Sequence, residues 1–170
     1  MANLILYYSR KGENYVSGSI QTLSKGNTER VAEFIQKAVG GDLFEIEPVR
    51  EYSASYMTCI KEAQAEQRAG ERPEVKALPE SLDKYDTIFI GYPNWWGTMP
   101  MFMFTVLDAY DWTGKKIVPF CTNEGSGLGS SERDIKASCP GAMVMPGLSI
   151  HGGSSASSEN QVAAWARKSI

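Results

Sequence analysis

The chain has 170 residues, 42% hydrophobic and 22% charged, the proportions of one soluble globular domain spanning residues 1–170. Its 17 basic and 20 acidic side chains leave a net charge of −3, which speaks against a nucleic-acid partner. Three scattered cysteines without a C-x-x-C, one histidine, no signal pattern and no apolar stretch longer than Met99 to Leu107 point to a reduced cytoplasmic chain. They exclude a disulfide framework, a metal cluster and a membrane span.

The first strand is read over residues 3–8, where Leu4-Ile5-Leu6-Tyr7-Tyr8 runs into Ser9. Residues 10–24 interrupt the chain before Lys25-Gly26-Asn27-Thr28 opens a helix over 27–39, with Val31, Phe34, Ile35 and Ala38 on one face. Ser9 with Asn27 and Thr28 at a helix mouth makes an anion site, since the first turn carries unpaired N–H groups and the positive dipole end. These side chains add donors without charge, which suits a phosphate that stays bound. A simple helix cap by Asn27 or Thr28 is the competing reading. The interruption itself has two readings. It is a surface excursion, cheap because closure entropy grows slowly with length, or a cover over the phosphate or a second substrate.

Leu43 to Ile46 reads as the second strand, residues 54–69 as a more polar helix, and Gly70 to Lys84 as a surface connection. Thr87 to Gly91 is apolar on both faces, as a central strand of a parallel sheet should be. The loop Tyr92-Pro93-Asn94-Trp95-Trp96-Gly97-Thr98 follows. Two adjacent indoles in a turn cannot both enter the core, so one plugs the sheet end and the other is left for the surface or a flat ligand. Pro100 starts a helix to about Ala109, whose Met99, Met101, Phe102, Met103 and Phe104 pack on the sheet.

Lys116 to Cys121 is the fourth strand, with Cys121 as inert packing. The loop Thr122-Asn123-Glu124-Gly125-Ser126-Gly127 can turn backbone N–H groups toward a partner, as can a plain flexible turn. Ser131 is expected to cap the next helix. Ala142 to Ile150 holds a fifth strand broken at Pro146-Gly147. Gly152 to Ser158, with His151 before it, reads as a loop. Ser158 and Gln161 suggest a capping box for the last helix. Strict β-α alternation predicts a parallel sheet with helices on both faces and ligands beyond its carboxyl edge. There the first loop asks for a phosphate, and the other two for a flat heteroaromatic between them.

The chain resembles the flavodoxin-like family, in a short-chain branch with an interrupted phosphate-binding loop. The resemblance rests on Tyr8-Ser9-Arg10-x-Gly12-Glu13-Asn14-Tyr15 followed by Gly26-Asn27-Thr28, on Gly91-Tyr92-Pro93-x-Trp95-Trp96-Gly97-Thr98-Met99-Pro100, and on Pro119-Phe120-Cys121-Thr122-x-Glu124-Gly125-Ser126-Gly127. It implies a three-layer sandwich around a five-stranded parallel sheet of order 2-1-3-4-5. It implies FMN as cofactor. Ser9, Asn27 and Thr28 would hold the phosphate, with Lys11 adding charge nearby. Pro93, Asn94, Trp95, Trp96 and Gly97 would line one side of the ring, the peptide beside Gly97 meeting its N5 edge and favouring the half-reduced state. Thr122, Asn123, Glu124, Gly125, Ser126 and Gly127 would cover the pyrimidine end.

With the flavin carrying the redox chemistry, no catalytic side chain and no metal are called for. The leading expectation is a carrier of one or two electrons serving a redox partner protein. The alternative is an oxidoreductase using NAD(P)H and a small quinone-type acceptor. A non-redox binding module on the same fold is remote, because the chain lacks the acidic first-strand end of a receiver, the dinucleotide fingerprint and the Walker motif. A monomer or weak homodimer is expected, with no nucleic-acid or membrane partner.

Overall fold

Strand β1 (Ala2–Tyr7) sets the frame, in a computed structural model that describes residues 2–170. Its side chains alternate with the two-residue period of a strand buried on both faces. Leu4 and Leu6 enter one core with Ile88, Ile90, Phe102, Val106 and Ile135, while Ile5 and Tyr7 enter another with Val31, Ile35, Phe120, Val162 and Ala166. The two cores are the two sides of one sheet.

In chain order β1 is followed by β2 (Gly12–Val16), β3 (Ser19–Leu23), α1 (Asn27–Val39), β4 (Asp42–Glu45) and α2 (Tyr56–Ala69). Then come β5 (Tyr85–Pro93), α3 (Met101–Asp108), β6 (Lys116–Asn123), α4 (Ser131–Ser138), β7 (Met143–Val144), β8 (Leu148–His151) and α5 (Glu159–Ser169). The sheet runs β4-β1-β5-β6, all parallel, and its last position is shared by β7 and β8, both paired with β6. Setting β2 and β3 aside, this is the 2-1-3-4-5 order the resemblance implies. The last position is split at Pro146-Gly147, where proline cannot donate to the ladder. Helices α1 and α5 cover one face, and α3 and α4 the other.

The interruption at residues 10–24 is an antiparallel hairpin. Gly12 to Val16 pair with Leu23 to Ser19 around a two-residue turn in which Ser17 (φ 52°) and Gly18 (φ 87°) both take the left-handed region. That is the type I′ geometry whose twist suits a tight hairpin.

Three local expectations are corrected. Ser130, not Ser131, stands at the start of α4, and the Ser131 hydroxyl instead donates to the Leu128 carbonyl and accepts the Tyr92 hydroxyl. Gly152 to Ser157 wind into a 3-10 turn rather than a loop. The Ser158 hydroxyl donates back into that turn at the Ser155 carbonyl, 2.7 Å away, so no capping box with Gln161 forms.

Gly91 lies toward the carboxyl end of β5, and a Cβ there would sit 2.0 Å from the ring of fully buried Phe120. Phe120 occupies the space a side chain would need. Gly91→Ala is therefore expected to lower stability by about 1–3 kcal/mol through overpacking. The check is a lower urea midpoint with unchanged slope.

Candidate functional site

Helix α1 starts without a side-chain cap of its own, because its N-cap residue is Gly26. Ser9 supplies one from across the insertion: its hydroxyl accepts the Glu29 N–H at 3.0 Å and is itself only 5% exposed. The approach needs glycine, since a Cβ at Gly26 would lie 2.0 Å from Ser9 Oγ and 2.6 Å from the Arg10 carbonyl. The N–H groups of Asn27 and Thr28 have no carbonyl four residues back within the helix, and this positive dipole end, with Asn27 lining the cavity, has the chemistry to hold an anion. The Thr28 and Thr122 hydroxyls pair at 2.7 Å in the interior, and the Asn27 amide oxygen accepts the Ser155 hydroxyl at 2.8 Å.

The loop after β5 divides the two indoles. Trp95 is half-buried, with edge-to-face contacts to Tyr8 at 5.5 Å and to Tyr52 at 5.0 Å, and it plugs the sheet end. Trp96 is 47% exposed, its indole N–H tied to the Ile60 carbonyl of α2 at 2.8 Å. Behind Trp95, the Tyr52 hydroxyl donates to the buried Glu66 carboxylate. Burial pushes the Glu66 pKa upward, against a lowering by the Tyr52 hydrogen bond.

The loop after β6 folds on itself. The Asn123 amide oxygen accepts the N–H groups of both Gly125 and Gly127 at 3.0 Å, so these donors are already engaged. Asn94 joins the two loops: its N–H donates to the Thr122 carbonyl and its amide nitrogen to the Gly127 carbonyl.

The hairpin β2–β3 spans the opening. Glu13 accepts the Tyr56 N–H at 2.9 Å, and Arg10 donates to the carbonyls of Glu13, Ser53 and Ala54, fastening hairpin to α2. Tyr15 stacks on Tyr56 with centroids 6.1 Å apart. At the tip, the Ser17 N–H donates to the Glu124 carboxylate at 2.6 Å.

These parts enclose a cavity of about 370 Å³ at the carboxyl edge of the sheet, in the size range of small-molecule sites. Asn27, Pro93, Asn94, Trp95, Trp96, Gly97, Thr122, Asn123, Glu124 and Ser126 line it. Ser9 and Thr28 stand behind it, buried at the start of α1, and Gly125 and Gly127 are held in the folded third loop. Lys11 is exposed on the surface and does not line the cavity. His151 is likewise exposed, accepting the Gly153 N–H. Burial pushes the Cys121 thiol up to about 12, which fits inert packing.

Sequence reasoning missed one wall. Tyr56, Cys59, Ile60 and Ala63 of α2 line the cavity at helical spacing, together with Arg10, Asn14, Tyr15 and Gly152. The α2 stripe was present in the sequence, but periodicity does not tell a ligand face from a core face. Among the described residues, no three potential ligands gather to hold a metal ion, and no helix is long and apolar enough to cross a membrane.

A family model described as Flavodoxin matches residues 19–169. A search of the curated proteins finds no match. Among solved structures, a candidate flavoprotein from Bacteroides eggerthii is 28% identical with a TM-score of 0.78, covering 99% of this chain and 97% of that one. A flavoprotein from Lactobacillus acidophilus in complex with FMN is 22% identical, TM-score 0.65, covering 94% and 98%. Oxidised Flavodoxin 2 from Bacillus cereus is 18% identical, TM-score 0.55, covering 99% and 100%. The last two share the fold with this chain.

Glu66 gives a pH test of the wall behind Trp95. Its pKa is raised in the folded state above the ordinary 4.5, so the unfolded chain releases its proton first as pH rises. The Glu66 contribution to stability is therefore greatest below that value, falls as pH climbs toward the raised folded pKa, and is flat above it. Glu66→Gln should flatten this part of the profile in urea titrations stepped from acid to neutral pH. The slope due to Glu45, also raised by burial, should remain.

Proposed function

The chain belongs to the flavodoxin family, and from that premise we propose that it is an electron-transfer flavoprotein that holds FMN without a covalent bond. The observation that carries this reading is the meeting, in one cavity, of a helix N-terminus with neutral donors and a wall of indole and bare peptide. Ser9, Asn27 and Thr28 with the first-turn N–H groups hold the phosphate. Gly26 keeps that cradle open, as the clash of any Cβ with Ser9 requires. The ring lies in the slot between Trp96, the Asn94–Gly97 segment and the loop after β6, with Tyr15 and Tyr56 at the mouth. When bound, FMN supplies one- and two-electron redox chemistry. The chain's own residues bind, orient and partly exclude water. The FMN complex of the Lactobacillus acidophilus protein of the same fold agrees with this cofactor.

A reductase that uses NAD(P)H and a small acceptor is the second reading beside a carrier serving a protein partner. It is favoured by the stacked Tyr15–Tyr56 pair, with Tyr15 42% exposed, which gives a second planar ring an aromatic surface at the mouth.

The purified protein should be yellow or take up added FMN, with quenching of flavin fluorescence. A colourless chain that binds none overturns the proposal. Gly26→Ala should weaken binding by roughly 10–100-fold, the loss expected when a charge-assisted contact is misplaced. Anaerobic NADH or NADPH should bleach the bound flavin if the chain is a reductase and leave it oxidised if it is a carrier.

A further inference from the structure

Asn27 is the first residue of α1 and lines the cavity. Its side-chain amide has two faces of opposite character: the nitrogen donates to an anion, and the oxygen repels one. Which face meets the cavity is decided from behind, by the 3-10 turn Gly152–Ser157 that follows β8. Ser155 in that turn is 2% exposed, and its hydroxyl donates to the Asn27 amide oxygen at 2.8 Å. The Ser155 carbonyl is itself held twice, by the Ser158 N–H at 3.2 Å and the Ser158 hydroxyl at 2.7 Å. A serine that reads in sequence as part of a plain loop is a buried, anchored partner of the helix start.

On the nitrogen side of the amide stands Gly152. A Cβ there would lie 2.7 Å from Asn27 Nδ2 and 2.6 Å from Glu124 Oε2. Asn27, Glu124 and Gly152 all line the cavity. The amide nitrogen therefore borders space that a side chain at residue 152 would fill, with a carboxylate oxygen bordering the same space. Turning the amide over would bring its oxygen toward that carboxylate and its nitrogen toward the Ser155 hydroxyl. Two acceptors would then stand together, and the cavity would meet a lone pair where it now meets an N–H. Ser155 and Glu124 select the same orientation from opposite sides.

We propose that Ser155 is a positioning residue that makes the site prefer a phosphorylated flavin over its unphosphorylated parent. The inference rests on the FMN reading, with the phosphate at the start of α1. The Ser155 hydroxyl gives its proton to the amide oxygen and leaves the amide N–H for the anion, beside the unpartnered backbone donors of the first turn. A hydrogen bond from a neutral donor to an oxyanion is charge-assisted and roughly twice as strong as one between neutral groups. Riboflavin ends in a hydroxyl, which donates or accepts and so tolerates either face of the amide. A phosphate dianion tolerates one face alone. Ser155 touches no ligand in this scheme and acts through Asn27.

Titrations of FMN and of riboflavin, followed by quenching of flavin fluorescence, test it. Ser155→Ala should weaken FMN about tenfold and leave riboflavin within about twofold. An equal loss for both flavins marks a merely structural role and overturns the inference, as does no loss for either. Asn27→Asp keeps an oxygen for Ser155 but turns a second oxygen toward the cavity. It should lose more FMN affinity than Ser155→Ala and retain riboflavin. In an Asn27→Ala background, Ser155→Ala should have no further effect on FMN, and an added loss there overturns the route through Asn27. Should Ser155→Ala fail to fold, the wild type decides by NMR. The Asn27 side-chain NH2 signals, identified by their absence from Asn27→Asp, should shift on adding inorganic phosphate, and unmoved signals overturn the inference. A chain that takes up neither flavin sinks the cofactor reading and this inference together. A chain that binds FMN with the same preference over riboflavin in wild type and Ser155→Ala sinks this inference alone.

Discussion

The Ser9 hydroxyl accepting the Glu29 N–H is the contact on which the site depends. It joins the end of β1 to the start of α1 although a whole hairpin lies between them in sequence. A helix whose N-cap is glycine has orphan donors and no side chain to meet them. Ser9 meets one of them, that of Glu29, and leaves those of Asn27 and Thr28 before it without a helical partner. The arrangement is possible because residue 26 has no Cβ. The start of α1 is therefore closed by a tertiary contact rather than by a short continuous loop. Thr28 and Thr122 extend the closure, tying α1 to the end of β6 by a buried hydroxyl pair. Asn94 then ties the loop after β5 to the same strand end. Three strand ends are held in register by few, mostly neutral, hydrogen bonds.

The hairpin adds a fourth side. Its attachments differ in kind at its two ends. Near its base, Arg10 satisfies three carbonyls and Glu13 caps α2, an arrangement that fastens hairpin and helix into one unit. At its tip the Ser17 N–H meets Glu124 in an exposed setting, where a single hydrogen bond competes with water. The cover over the cavity is thus held to α2 at its base and to the loop after β6 at its tip.

Much of this was legible before the fold was seen, and the reasons are local. Hydrophobic alternation and helical spacing placed β1, α1 and β5 closely, because each is long and strongly patterned. The double tryptophan flagged its loop because two indoles cannot share one core slot, and the structure separates Trp95 from Trp96 in that way. What was not legible depended on partners distant in sequence. Glu13-Asn14-Tyr15-Val16 is too polar to signal a strand, and the Ser17-Gly18 turn became a hairpin signal only once its flanks were paired. Ser131 and Ser158 carry the chemistry of helix caps, yet their hydroxyls turn to nearby carbonyls within the preceding turns. Lys11 sits next to Arg10 in sequence, but Arg10 faces the cavity and Lys11 the solvent. The α2 wall looked like any amphipathic stripe.

The distribution of polar groups says where binding energy is gathered. Asn123 consumes the Gly125 and Gly127 donors, and Asn94 and Gln67 consume the groups of the Trp96–Gly97 peptide. Around the slot, then, many backbone groups are bonded within the protein, and the walls meet a ring through shape and aromatic faces. At the start of α1 the reverse holds, where the N–H groups of Asn27 and Thr28 have no helical partner. A ligand with an anionic tail and a flat head is gripped by the tail. Binding energy drawn from a part that does not react can position the part that does, at no cost to its reactivity. The slot opposite is bounded by the turn in which Trp96 takes its left-handed φ of 57°, and Tyr15 and Tyr56 stack at its mouth.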